Sequence, residues 1–122
     1  MTLTAIEGLA DLGMWEDAWL SLDGLNPDER STPAALRLRL RCCPRMNAWA
    51  LGEAVAGMLR EGPTADRNAA AVFYHANARR LIHAGNLPAA EASVSAAIET
   101  WPDYHMAIML DPLLNCVGKE PR

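Results

Sequence analysis

The side chains best suited to metal or nucleophile chemistry are few and widely spaced in this sequence. His75 and His83 are eight residues apart, which is about 12 Å along a helix and too far to share a metal ion without further ligands. Cys42 and Cys43 are neighbours whose side chains diverge by about 100° on a helix, and neither belongs to a Cys-x-x-Cys motif. We interpret this pair as two small buried apolar side chains.

The motifs that assemble common catalytic sites are also missing. The sequence contains no Gly-rich phosphate loop, no Glu-x-x-His motif and no Gly-x-Ser-x-Gly turn. Carboxylates such as Glu16, Asp17, Glu53 and Glu91 fall on the polar faces or in the first turns of predicted helices, where they favour the helix dipole. Cys116 has no evident base. We therefore expect neither catalytic residues nor a cofactor.

Apolar residues recur at helical spacing through the last third of the chain. One stripe has side chains at i, i+4 and i+7, and a second repeats the spacing after Gly85, where a helix can end in a left-handed residue. Trp101 and Pro102 end the second stripe. Two helices joined by so short a turn must lie antiparallel and pack face to face. The stripes consist of Tyr74, Ala78 and Leu81, and of Ala90, Val94 and Ala97.

A first hairpin is predicted at the beginning of the chain. Residues 2–12 and 15–25 carry apolar side chains at helical spacing on either side of Gly13, and Asn26-Pro27 ends the second helix. The polar stretch from Asn26 to Thr32 is predicted to be a link.

The second hairpin contains a conflict between two patterns. Leu36 to Arg41 alternates strictly between apolar and charged residues, which alone is typical of a strand. Leucine and arginine favour helix, however, and no β-branched residue is present, so we predict a helix over residues 34–43. Pro44 ends it, and Asn47 to Arg60 is predicted as its partner.

A second link, a short helix and a tail complete the prediction. Thr64 to Asn68 is predicted to be a polar link before the third hairpin. Asp103 is expected to cap a last helix from Tyr104 to about Leu110, and Val117 to Arg122 is expected to fray.

The aromatic, small and proline residues of the third hairpin resemble the tetratricopeptide repeat family, whose unit has about 34 residues. Gly13, Trp15 and Ala18 match the same pattern in the first hairpin. The middle hairpin matches least, because Arg39 falls where a small residue is expected and Met46 where glycine is usual. The resemblance implies an all-α fold of one domain, residues 1–122, in which antiparallel helical hairpins at about 2–27, 32–63 and 66–102 stack as a short right-handed α-solenoid, with a capping helix at about 103–111.

The resemblance also implies a concave groove lined by the first helix of each hairpin. An apolar floor with basic side chains suits an extended or helical peptide that carries acidic residues. The alternative is that the arginines form an ordinary solvated face. The implied positions are Leu3 and Glu7 in the first hairpin, Leu36, Arg37, Leu40 and Arg41 in the second, and Val72, His75, Arg79, Ile82 and His83 in the third.

Composition limits the compartment and the partners. A chain of 122 residues that is 51% hydrophobic and 21% charged is typical of one folded domain. Its net charge of -4 argues against nucleic acid. It has no run of 18 apolar residues, Glu7 and Asp11 do not suit a signal peptide, and an odd number of cysteines fits a reducing compartment. We therefore expect a cytoplasmic protein with neither a nucleic-acid nor a membrane partner.

These observations predict a non-enzymatic module that binds a peptide or protein partner in its groove. One alternative is a chaperone for a secreted protein, similar in size to three-repeat chaperones of type III secretion. A second is a metal or haem accessory protein that uses His75, His83, His105 and Cys116. A third is a structural element that completes a larger assembly.

The tryptophans bear on oligomeric state. At helical spacing beside alanines they are predicted to be core residues, whereas exposed tryptophans would favour a homodimer through the convex face. The four are Trp15, Trp19, Trp49 and Trp101.

Overall fold

The computed structural model describes residues 1–117, and within them the backbone forms helices and turns with no β-strand. The prediction of an all-helical fold is confirmed for this part of the chain. The tail that we expected to fray lies outside the described residues from Gly118 onward. Eight α-helices within residues 1–117 run, in order, over Leu3–Asp11 (α1), Trp15–Asp23 (α2), Pro27–Arg30 (α3), Pro33–Cys42 (α4), Trp49–Leu59 (α5), Thr64–His83 (α6), Leu87–Thr100 (α7) and His105–Met109 (α8).

In the first hairpin, α1 and α2, single residues determine where the first helix begins and where the chain turns. The hydroxyl of Thr2 accepts a hydrogen bond from the backbone N–H of Ala5 at 3.1 Å and so begins α1. Gly13 has a φ of 80°, a left-handed conformation that glycine adopts without steric cost, and it reverses the chain into α2. Between the two helices lie Ile6 and Ala18, both fully buried.

The second hairpin, α4 and α5, begins where the Thr32 side chain caps α4 and Pro33 occupies its first turn. Helix α4 covers the alternating stretch Leu36–Arg41, which confirms helix over strand. A 3-10 helix at Cys43–Met46 and a left-handed Asn47, with φ of 55°, lead into α5. The predicted link before this hairpin is partly helical, because Asn26 caps the single turn α3.

The third hairpin, α6 and α7, is longer than predicted. Residues 64–68, predicted to be a link, form the first turns of α6. Pro63 is extended and ends the preceding turn, and the buried Asp66 in the first turn of α6 pairs with Arg37 of α4. Tertiary pairing therefore draws this polar stretch into the helix.

The chain after α7 forms a 3-10 helix at Pro102–Tyr104 and then α8. Asp103 was expected to cap this last helix, but it lies within the 3-10 turn, and the residue before α8 is Tyr104, which makes no side-chain capping bond. The short helix is therefore stabilised by its packing and not by a side-chain cap.

The core consists of three apolar clusters, one after another along the chain. The first joins α1, α2 and α4 around Ile6 and Leu22, and the second joins α4, α5 and α6 around Leu40 and Phe73. The third joins α6 and α7 to the C-terminal residues Ile108 and Leu114, together with Ala78 and Val94. Helices α4 and α6 each contribute to two of these clusters and so connect them.

Candidate partner-binding groove

A groove of about 490 Å³ opens between α1, α4 and α6. These are the first helices of the three hairpins. We call this space the groove, and it is lined by Leu3, Thr4 and Glu7 of α1, by Ala34, Arg37, Leu38, Leu40 and Arg41 of α4 with Pro44 after it, and by Ala69, Val72, Phe73 and Ala76 of α6.

The floor of the groove is apolar and firmly held. Leu38, Leu40 and Phe73 are buried and belong to the core clusters, so their positions are fixed by packing beneath the groove. Val72 is 50% exposed and faces the open space. A surface of this kind favours apolar side chains of a ligand, because their burial removes apolar area from water.

The rim of the groove carries charge. Arg37 contacts the buried carboxylate of Asp66 at 2.5 Å, and Arg41 contacts Asp11 at 2.7 Å. Each of these ion pairs uses one terminal nitrogen of the guanidinium group, so other N–H groups of both arginines are left for a ligand. The two arginines lie one turn apart on α4, opposite Glu7 of α1. Among the lining residues only these two arginines and Glu7 are charged, so the lining itself carries one net positive charge, and the carboxylates of Asp11 and Asp66 lie beside it as ion-pair partners.

The predicted groove residues separate into three groups. Arg37, Leu40, Arg41 and Val72 line the groove, as do Leu3 and Glu7. Leu36 is half-buried against the central core cluster, and His83 is exposed at the end of α6. The remaining three, His75, Arg79 and Ile82, contact the C-terminal residues instead.

A polar cluster joins α6 to the residues after α8. His75 Nε2 lies 2.6 Å from Oδ2 of Asp111, and Arg79 donates to both oxygens of the same carboxylate at 2.6 Å. The backbone N–H of Leu113 adds a bond of 2.9 Å, and the Tyr104 hydroxyl lies 2.7 Å from His75 Nδ1. A single carboxylate thus accepts hydrogen bonds from three residues.

The hydrogen-bond partners assign the proton positions in this cluster. Burial by itself raises the pKa of Asp111, but hydrogen bonds from Arg79, His75 and Leu113 outweigh burial and lower that pKa to about 2. The ionised carboxylate can only accept, so His75 Nε2 carries a proton and, in the neutral ring, Nδ1 accepts from Tyr104.

The order hydroxyl, imidazole, carboxylate is also found in catalytic relays, but here it favours a structural role. Burial, and secondly the charge of Asp111, raise the pKa of Tyr104. The phenol therefore stays protonated and serves as a hydrogen-bond donor. The cluster ties the C-terminal residues to α6.

Sequence reasoning missed Asp111 and Tyr104 as partners of α6. They are 36 and 29 residues from His75, so spacing gives no hint of the contact. The available signal was a lone carboxylate, Asp111, within the apolar run from Ile108 to Leu114.

The tryptophan side chains are neither fully buried in the core nor fully exposed to solvent. All four are half-buried, and arginines lie over the rings of three. Arg39 stands 4.5 Å from the ring centre of Trp19, Arg80 stands 4.8 Å from that of Trp49, and Arg41 and Arg45 both lie 5.5 Å from Trp15. Cation–π contacts of this kind cover the outer faces of the rings. Arg39, which departs from the repeat pattern, thus covers Trp19 and also pairs with Asp23 at 2.7 Å.

Within positions 1–117, no three His, Cys, Asp or Glu side chains lie close enough together to hold a metal ion. No helix in this part of the chain has the length and apolar character needed to cross a membrane.

The three cysteines should differ sharply in reactivity. Cys42 and Cys43 are buried, and burial is the main reason why the pKa of Cys42 is raised and that of Cys43 reaches about 11, whereas Cys116 is exposed. We expect iodoacetamide at pH 8 to modify Cys116 alone in the folded protein and all three in urea. Mass spectrometry would locate the adducts. Equal modification of Cys43 without urea would contradict its burial.

Comparison of the chain with protein-family models, curated proteins and solved structures found no match.

Proposed function

We propose that this chain is a non-enzymatic interaction module of the tetratricopeptide repeat type, a short right-handed α-solenoid that binds a peptide or protein partner in its groove. The observation that carries the proposal is that α1, α4 and α6, the first helix of each hairpin, line one groove with an apolar floor. In stacked helical repeats these helices form the concave side.

The chemistry of the rim supports an acidic partner. Arg37 and Arg41 offer free N–H donors above a floor formed by Leu40 and Val72. A partner segment with an apolar side chain on the floor and a carboxylate at the rim would use both features. Glu7 on the opposite wall would disfavour a second carboxylate there, and so helps to orient the segment.

The proposal is tested by filling the groove without touching the core. Val72 is half-exposed and faces the groove, so Val72→Trp should block a ligand and leave the fold intact. Ala92→Trp, at an exposed position of α7 away from the groove, is the matched control. We expect a partner captured by the wild type from extracts of the native cell to be retained by Ala92→Trp and weakened at least about tenfold by Val72→Trp.

Two further measurements make this test decisive. Circular dichroism and thermal unfolding must first show that both variants fold like the wild type. Titration with the purified partner should then show weaker binding at higher salt, because the rim contributes ion pairs. Equal affinity for Val72→Trp and Ala92→Trp would refute binding in the groove.

A further inference from the structure

The C-terminal segment, residues 105–117, lies against α6 and α7 as a ligand would. Asp111 is held by Arg79 and His75 through three side-chain hydrogen bonds. Three residues later Leu114 is fully buried, in the same apolar cluster as Ala78 and Val94. A carboxylate on a basic pair and a leucine in an apolar pocket together fix the segment.

The helical conformation of this segment would not be stable without its contacts to α6 and α7. Helix α8 has five residues, far fewer than the roughly 12–15 that an isolated helix needs in water. Trp101, which is extended, and the 3-10 turn after it separate the segment from α7. Its conformation therefore depends on docking, and release would leave α7 intact.

The surface beneath the segment is suited to binding once it is free. We call it the acceptor surface, and it consists of His75, Ala78, Arg79, Ile82 and Val94. The side chain of Arg79 is 47% exposed even with the segment docked, so a competing carboxylate can approach it. The groove contacts α6 nearer the start of the helix, at Ala69, Val72, Phe73 and Ala76, and no residue of the acceptor surface lines it, so the two sites are distinct.

We propose that the acceptor surface is a second peptide-binding site, which the chain fills with its own C-terminal segment. Its ligand is a partner segment that repeats the chemistry of Asp111 and Leu114, a carboxylate followed three residues later by leucine. Such a segment competes with residues 105–117 for Arg79 and His75. This inference is independent of what the groove binds.

The test uses a fluorescent peptide that copies residues 105–117, with blocked ends and serine at the cysteine position, and the full chain as receptor. The variant Asp111→Asn weakens the internal ligand and leaves the acceptor surface unchanged. We expect it to bind the peptide at least about tenfold more tightly than the wild type does, because apparent affinity scales with the fraction of free sites. Fluorescence anisotropy gives the dissociation constant of the peptide for each of the two proteins.

Two second-site variants in the Asp111→Asn background place the bound peptide. Arg79→Gln should abolish binding, and Val72→Trp, which fills the groove, should leave it unchanged. Equal binding by the wild type and Asp111→Asn would overturn the proposal, as would binding that survives Arg79→Gln. Loss of binding with Val72→Trp would also overturn it, and would place the peptide in the groove, in support of the first proposal instead.

Hydrogen exchange of the wild type provides a test that needs no variant. If the segment can leave its site, the amides of residues 108–110, which bond within and just after α8, should exchange faster than those in the middle of α7. Exchange of both groups only through global unfolding would show that the segment is a permanent part of the fold and would overturn the inference.

Discussion

Gly52→Ala is expected to destabilise the protein by about 2–3 kcal/mol, although it changes one hydrogen to a methyl group. A Cβ atom at this position would lie within 2.3 Å of the nearest carbon of the Phe73 ring. Phe73 is 2% exposed and contacts Trp49 and Tyr74, with ring centres 6.0 Å away in each case. The ring therefore cannot move aside, and α5 must separate from α6.

Gly57→Ala is the matched control for this prediction. Gly57 lies on the same helix, and nothing comes within 4 Å of a Cβ atom there. Since alanine favours helix over glycine by about 1 kcal/mol, this variant should be neutral or slightly more stable. Urea unfolding of both variants measures the difference. Equal stability of the two would show that α5 can shift to accommodate a methyl group at position 52.

The sequence predicted the helices well because its periodicity, caps and turn residues agree with one another. Thr2, Thr32 and Asn86 accept capping bonds at the starts of α1, α4 and α7, and Gly13 and Gly85 adopt left-handed conformations between helices. Each of these signals is local, so it can be read without knowing the fold.

Residues 64–68 show where local signals are insufficient. Their polar character predicted a link, yet they form part of α6 because Asp66 pairs with Arg37, which is 29 residues earlier in the chain. Gly62 permits this arrangement, since a Cβ atom there would lie 2.6 Å from the Asp66 carboxylate. A contact between two helices thus decided where one of them begins.

The candidate site was also predictable only in part. The resemblance to helical repeats implied groove positions for Arg37, Leu40, Arg41 and Val72, and these residues do line the groove. It also assigned His75 and Arg79 to the groove, but Asp111 engages both of them from the end of the chain. Periodicity identifies a face of a helix and does not reveal which later segment covers it.

Acid should remove the stabilising effect of the Asp111 carboxylate. Its folded-state pKa is about 2, below the ordinary value of 3.8, so the folded state binds a proton less readily than the unfolded state does. The carboxylate therefore stabilises the fold fully above about pH 4, and this contribution is lost as the pH falls through 2. The pKa difference corresponds to about 2 kcal/mol.

Asp111→Asn tests this effect, because the amide has nearly the same shape and no charge. We expect the variant to be less stable than the wild type by about 2 kcal/mol at pH 7 and nearly equal to it at pH 2. Asp103→Asn, an exposed carboxylate near the same segment, should match the wild type at both pH values. If Asp111→Asn remained equally destabilised at pH 2, the loss would come from altered packing around the side chain, and the ionised carboxylate would not be what holds the C-terminal segment on α6.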